Sequence, residues 1–84
     1  MPITVFSKPG CVQCNATYRA LDKKGIEYNV ISIAEDPSAL SLVVSKGKQQ
    51  MPVVVVDVDG DWNDENNCWT GFHDDKIESL VSSN

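Results

Sequence analysis

The chain has 84 residues, 42% of them hydrophobic, and a formal net charge of -5 at pH 7. A chain of that length supports one modest core, hence a single domain over residues 1–84. Seven Lys and Arg against twelve Asp and Glu argue against a nucleic-acid binder, because cations so few and scattered cannot neutralise a phosphate backbone.

No apolar run approaches the length of a membrane span, and the start, Met1-Pro2-Ile3-Thr4, is already strand-like, so neither a leader nor a membrane anchor is expected. Ile3-Thr4-Val5-Phe6 is β-branched and aromatic and stops before Pro9-Gly10, the pattern of a central strand. From Val12 to Lys24 the period becomes helical, with Thr17, Ala20 and Leu21 on one face, and Gly25 supplies the stop. Tyr18 on this helix either shields the cysteines that precede it or covers helix surface. Ile26 to Ile33 reads as a second strand through Tyr28, Val30, Ile31 and Ile33. Asp36-Pro37 is an N-cap followed by proline at the first helical position, opening a helix with Leu40, Val43 and Val44 at core spacing that closes at Gly47. Two strands joined through a helix imply a right-handed parallel crossover.

Met51-Pro52-Val53-Val54-Val55-Val56 is the third strand, and local preference alone favours a trans bond before Pro52. Asp57 to Asn67 is densely acidic. Its Asp59-Gly60 step suits a tight turn, so the simplest account is a hairpin or long connection with solvated charges. A calcium loop is the sharper alternative, but no Asp-x-Asp register has glycine at its sixth position or glutamate at its twelfth. Cys68 follows. The carboxylates of Asp64 and Glu65 disfavour its thiolate, which makes it a bystander. Trp69-Thr70-Gly71-Phe72 reads, on composition alone, as core packing at a turn. A last helix is marked by Ile77, Leu80 and Val81, with Asp74 and Asp75 at its dipole-favoured start. His73 reads as a surface or cap-adjacent residue without a proton-transfer role.

The chemistry concentrates in Ser7-Lys8-Pro9-Gly10-Cys11-Val12-Gln13-Cys14. A Cys-x-x-Cys pair at a strand-to-helix junction is the signature of thiol-disulfide exchange, one thiol reacting and the other resolving. If the helix begins at Cys11 or Val12, Cys11 meets the unpaired N–H groups and positive dipole end that favour thiolate, and Lys8 adds a cation. Cys14 lies one turn deeper on the same face. Cys11 is therefore the attacking thiol and Cys14 the resolving one. Lowering a thiol pKa from about 8.5 to about 7 raises its thiolate fraction at pH 7 roughly fifteenfold, while weaker nucleophilicity takes back roughly fivefold. The helix start thus sets redox poise and leaving-group quality more than speed of attack.

Two other readings of the pair stand beside this one. A structural disulfide is opposed by the acidic composition, the odd third cysteine and the expected absence of a signal peptide, all of which point to a reducing cytoplasm. A zinc site is the second: Cys11, Cys14, Cys68 and His73 supply chemically suitable ligands but lack a second tight knuckle.

Cys11-Val12-Gln13-Cys14 with Asn15-Ala16-Thr17, then Gln50-Met51-Pro52-Val53-Val54-Val55, then Trp69-Thr70-Gly71-Phe72, together resemble the NrdH-redoxin family of glutaredoxin-like proteins. The resemblance runs from about Thr4 to the last helix. It implies a thioredoxin/glutaredoxin α/β fold, a four-stranded mixed sheet of order 2-1-3-4 with three helices and the last two strands antiparallel to the first two. It also implies a monomeric dithiol electron carrier without a cofactor of its own, reduced by thioredoxin reductase, which draws on NADPH, and donating electrons to class Ib ribonucleotide reductase. Met51-Pro52 would be the family's cis-proline step, its Met51 backbone pairing with an extended partner segment. Lys8, Val12 and Gln13 would flank the dithiol, and Trp69, Thr70, Gly71 and Phe72 would form the loop packed by hydrogen bonds under the active site and contacting the reductase.

Departures from the pattern bear on partners. Gly71-Phe72 stands where glutathione-using glutaredoxins carry Gly-Gly, and the bulk of Phe72 is expected to obstruct the tripeptide; a glutathione-dependent glutaredoxin is the alternative within the same fold, and a zinc-binding or redox-sensing module the alternative outside it. Asp74 replaces a common proline and Lys48 a usual aromatic. The connection from Asp57 to Cys68 is longer than the family's turn, and its charges are expected to re-tune docking from a place near the interface.

Overall fold

The computed structural model describes residues 3–82, with side chains described as far as Leu80. The strand-like start at Met1 and Pro2 and the side chain of Val81 lie outside the described residues. In chain order the elements are β1 (Ile3–Ser7), α1 (Val12–Lys23), β2 (Tyr28–Ser32), α2 (Pro37–Ser45), β3 (Val53–Val55), β4 (Cys68–Thr70) and α3 (Asp74–Ser82). The sheet order is β2-β1-β3-β4. β1 and β2 are parallel, β3 is antiparallel to β1, and β4 is antiparallel to β3. Only β3 therefore runs against the rest, which corrects the expectation that both late strands oppose both early ones. The reason is that β3 and β4 are sequential antiparallel neighbours, and a second reversal restores the direction of β1.

Alternation along the strands sorts side chains onto two faces. Phe6, Val53, Val55 and Cys68 join Ala39 and Val43 of α2 on one face; Ile3, Val5, Val54 and Trp69 join Leu21 of α1 and Ile77 of α3 on the other. β1 and β3 are buried on both faces, as continuous β-branched runs require, whereas β2 is an edge strand with Val30 exposed.

Both connecting helices end in the same way. In α1 the Ile26 N–H donates to the Leu21 carbonyl at 3.0 Å, and in α2 the Lys48 N–H donates to the Val43 carbonyl at 2.9 Å. Each bond closes over a glycine in the left-handed region, Gly25 at φ 69° and Gly47 at φ 74°, which an L side chain would strain. At the start of α2 the Asp36 carboxylate accepts from the N–H groups of Ser38 and Ala39 at 3.1 and 3.2 Å and from the Ser38 hydroxyl at 2.6 Å. Those bonds, the Ser38 hydroxyl first, hold its carboxyl below the ordinary range. A depressed folded pKa contributes stability above the unfolded value of about 3.9, lost as pH falls through the folded value. Asp36→Ala is expected to lower Tm at pH 7 and to leave a smaller Tm difference at pH 2, as thermal melts at the two pH values would show.

The buried face of α2 matches the expected one at Val43 and differs from it at Leu40 and Val44. Ala39 and Val43 point to the core with Leu42 half-buried beside them, while Leu40 and Val44 are exposed. Two i, i+4 pairs lie one residue apart in this helix, and the pair containing the small Ala39 meets the sheet.

The acidic connection is more than a solvated excursion. Trp62 is 3% exposed, packs on Phe6 with ring centroids 5.8 Å apart, and donates from Nε1 to the Val58 carbonyl at 2.9 Å. Lys46 at the end of α2 lies over its ring, 5.7 Å from the centroid. Asn67 pins the base of the loop: its Oδ1 accepts from the Asp57 N–H at 2.9 Å, and its Nδ2 donates to the Asp57 and Asp61 carbonyls at 3.0 and 3.1 Å. Asp57, Asp61 and Asp64 each accept the N–H two residues ahead, so these carboxylates shape turns as well as facing water. The loop leaves β3 at Val55, opposite Thr4, whereas Cys11 follows the other end of β1. Its root therefore lies at the far end of the sheet from the dithiol, while Trp62 within it folds back onto Phe6.

Candidate active site

β1 delivers the chain through Lys8, Pro9 and Gly10, all exposed, to Cys11, the N-cap of α1. The Cys11 Sγ accepts the Cys14 N–H at 3.1 Å, so the sulfur takes one of the donors that a helix start leaves unpaired. Cys11 and Cys14 form a disulfide with Cα atoms 5.2 Å apart. Cys11 is 8% exposed and Cys14 2%, the order expected of an attacking and a resolving thiol. A thiolate at Cys11 would accept the same N–H and face the same helix dipole, both of which favour the anion over the thiol.

Cys11 opens onto a shallow groove lined by Lys8, Val12, Gln13, Gln49, Gln50 and Met51. Val12 projects outward, 77% exposed. Met51 and Pro52 are buried and the bond between them is cis. The resemblance had implied this isomer; local preference alone, worth roughly 0.5–1 kcal/mol, had not, and a difference that small is readily reversed by tertiary surroundings.

The stretch Trp69 to Phe72 closes the site from beneath. Trp69 is buried in β4 opposite Val54, Thr70 pairs with Val53, and the Gly71 N–H donates to the Pro52 carbonyl at 2.9 Å. The Phe72 N–H donates to Gln13 Oε1 at 2.9 Å, joining residues far apart in the chain. Gly71 is at φ 80°, a conformation that demands glycine, and a Cβ there would stand 2.9 Å from Gln13 Oε1 and push on that side chain. Phe72, partly exposed, stands with Ala16, Arg19 and Ala20 along α1. Trp69 and Thr70 are thus held within the sheet, whereas Val12 and Phe72 are exposed. The Trp69 Nε1 has no hydrogen-bond partner among the described residues. Sequence reasoning named Gln13, Pro52 and Trp69 to Phe72 but missed which atoms join them, because a bond from a helix's first turn to a loop near the other end of the chain leaves no periodic signal.

The remaining candidates are placed elsewhere. Tyr18 stacks on Tyr28 with ring centroids 5.8 Å apart and planes 2° apart, and Tyr28 donates to Asp22 at 2.9 Å; burial, then that bond, raises the Tyr28 pKa. His73 is exposed, 4.0 Å from Asp75. Among the described residues no group of three or more His, Cys, Asp or Glu is placed to hold a metal. Cys68 is a buried free thiol whose pKa is raised by burial, partly offset by Lys48, and not by the neighbouring carboxylates that sequence reasoning blamed. Its thiol in the oxidised protein should resist alkylation by iodoacetamide at pH 7 and react within minutes after denaturation; Cys68→Ser should leave turnover within about twofold.

The glutaredoxin family profile matches residues 3–60. The glutaredoxin-like protein NrdH of Escherichia coli (strain K12) is 35% identical over 80 residues, covering 95% of this chain and 89% of that protein. The gene 56 protein of Mycobacterium phage D29 is 30% identical, covering 95% and 82%. The solved glutaredoxin-like NrdH-redoxin of Escherichia coli, described as having a thioredoxin-like activity profile, superposes with a TM-score of 0.82 at 32% identity over 95% of each chain. The dithiol at the helix start, the sheet order and these likenesses agree: the chain belongs to the glutaredoxin family, among its glutaredoxin-like NrdH redoxins, and is a thiol-disulfide oxidoreductase.

Proposed function

We propose that the protein is a dithiol electron carrier, reduced by thioredoxin reductase and passing electrons to a class Ib ribonucleotide reductase. The observation that carries this reading is the Cys11–Cys14 disulfide capped at the start of α1 and opening onto a groove beside Met51. In the reduced protein the Cys11 thiolate attacks one sulfur of the partner's disulfide, forming a mixed disulfide and expelling the partner's other sulfur as thiolate. Cys14, deprotonated, then attacks the Cys11 sulfur, releasing the partner's second thiolate. Two electrons pass to the partner and Cys11–Cys14 is oxidised. The reductase reverses the sequence, so NADPH acts only through it and the carrier uses no cofactor of its own.

Docking follows from the exposed groups. A partner segment lies extended along the Met51 backbone, Val12 supplies apolar contact beside Lys8, and Phe72 supplies it beside Ala16 and Ala20 of α1. The thioredoxin-like activity profile named for the Escherichia coli relative supports a protein reductant over glutathione. The carrier works as a monomer in the cytoplasm, where such a dithiol is kept reduced; no helix among the described residues is long and apolar enough to cross a membrane. An assay following NADPH consumption with a disulfide substrate tests the reading. Turnover is expected with thioredoxin reductase and not with glutathione plus its reductase; the reverse pattern would establish the glutathione route instead.

A further inference from the structure

Three segments carry the site, 11–14, 50–52 and 69–72, and they meet at the successive N–H groups of Gly71 and Phe72. One bond there is purely main-chain, from the Gly71 N–H to the Pro52 carbonyl. The other runs through a side chain, from the Phe72 N–H to Gln13 Oε1. Gln13 is itself held from below, since its carbonyl accepts the hydroxyl of the fully buried Thr17 at 2.9 Å. Gln50 reaches the same point from the other side: a Cβ on Gly71 would lie 3.4 Å from its Nε2. Gln13 thus lies between the two reactive cysteines and is the only one of these ties to the β4–α3 corner that a substitution can remove without altering the main chain.

We infer that Gln13 is a positioning residue for attack on protein disulfides, fixing the Cys11–Cys14 turn relative to the Met51-Pro52 segment against which a protein partner is laid. The inference rests on the reading of the chain as a donor to proteins. A disulfide held on the Met51 backbone reaches Cys11 in line only if turn and segment keep one relative placement, whereas a small disulfide is not held by that segment and adjusts to the thiolate. Gln13 therefore acts on discrimination between the two kinds of substrate.

The test uses the full chain reduced chemically with dithiothreitol, so that it does not depend on which reductase serves the protein. Insulin is the protein disulfide and bis(2-hydroxyethyl) disulfide the small one. Gln13→Leu, which removes the acceptor, is expected to lower the ratio of insulin to small-disulfide kcat/KM by about tenfold. It should also speed hydrogen exchange at the Phe72 amide by about tenfold. Gln13→Glu keeps an acceptor oxygen in place and is expected to return both quantities to within about threefold of the starting protein; its added charge near Cys11 acts on both substrates and cancels in the ratio. An unchanged ratio in Gln13→Leu overturns the inference, as does failure of Gln13→Glu to restore it. Failure of the electron-donor reading shows elsewhere, as absence of turnover with thioredoxin reductase in the unsubstituted protein.

Discussion

Cys11→Ser is expected to abolish turnover, while Cys14→Ser accumulates a mixed disulfide with the substrate protein. The difference follows from position at one helix start. Cys11 is the N-cap whose sulfur accepts the Cys14 N–H at 3.1 Å, and it faces the groove beside Met51. A hydroxyl there can still cap the helix, since serine is a favoured N-cap, so the variant should fold with a Tm near that of the reduced protein. It has no comparable nucleophile at neutral pH, so activity falls to background. Cys14, 2% exposed, is out of reach of a protein partner, so its loss leaves the first attack intact and removes only the release step. Non-reducing gels and intact mass should show a stable covalent adduct for Cys14→Ser and none for Cys11→Ser. An adduct formed by Cys11→Ser would mean that the roles are exchanged.

The second large effect concerns stability. Trp62→Ala should cost about 3 to 5 kcal/mol, the range for deleting a buried aromatic side chain. For a chain of this size that is a large share of a typical total of about 5–15 kcal/mol. Trp62 lies on Phe6 beneath Lys46 and donates to Val58, so removing it uncovers the α2 face of the sheet and frees the loop it anchors. Trp62→Phe keeps most of the apolar area and loses the Nε1 bond, with an expected cost of about 1 kcal/mol. Chemical denaturation separates the cases. A loss below about 1 kcal/mol for Trp62→Ala would show that the loop does not depend on this contact.

Trp62 also shows where sequence reasoning stops. Its neighbours in the chain are Asp61, Asn63, Asp64 and Glu65, so no periodicity marks it as buried, and only the fold-back of the loop onto Phe6 does so. β1 and β3 were readable because they are runs of β-branched residues buried on both faces, and the ends of α1 and α2 because Asp36, Gly25 and Gly47 act locally; β4, only Cys68–Thr70, read as packing at a turn, since three residues are too few to show an alternation. The face of α2 was not readable, since Leu40 and Val44 form as good a helical stripe as Ala39 and Val43. At the site, the cysteine pair and its helix start were legible from spacing. The link from Gln13 to Phe72 was not, because it depends on a tertiary approach that no local pattern encodes.

The central claim, that Cys11 and Cys14 reversibly carry two electrons to another protein, is tested most directly by differential alkylation across a single turnover. The reduced protein is mixed with an oxidised protein substrate, quenched with one isotopic form of an alkylating reagent, then reduced and labelled with the other. The peptide spanning residues 11–14 should change from two early labels before turnover to two late labels after it, with substrate thiols appearing in equal number. Early labels that persist on both cysteines while the substrate is reduced would contradict the account.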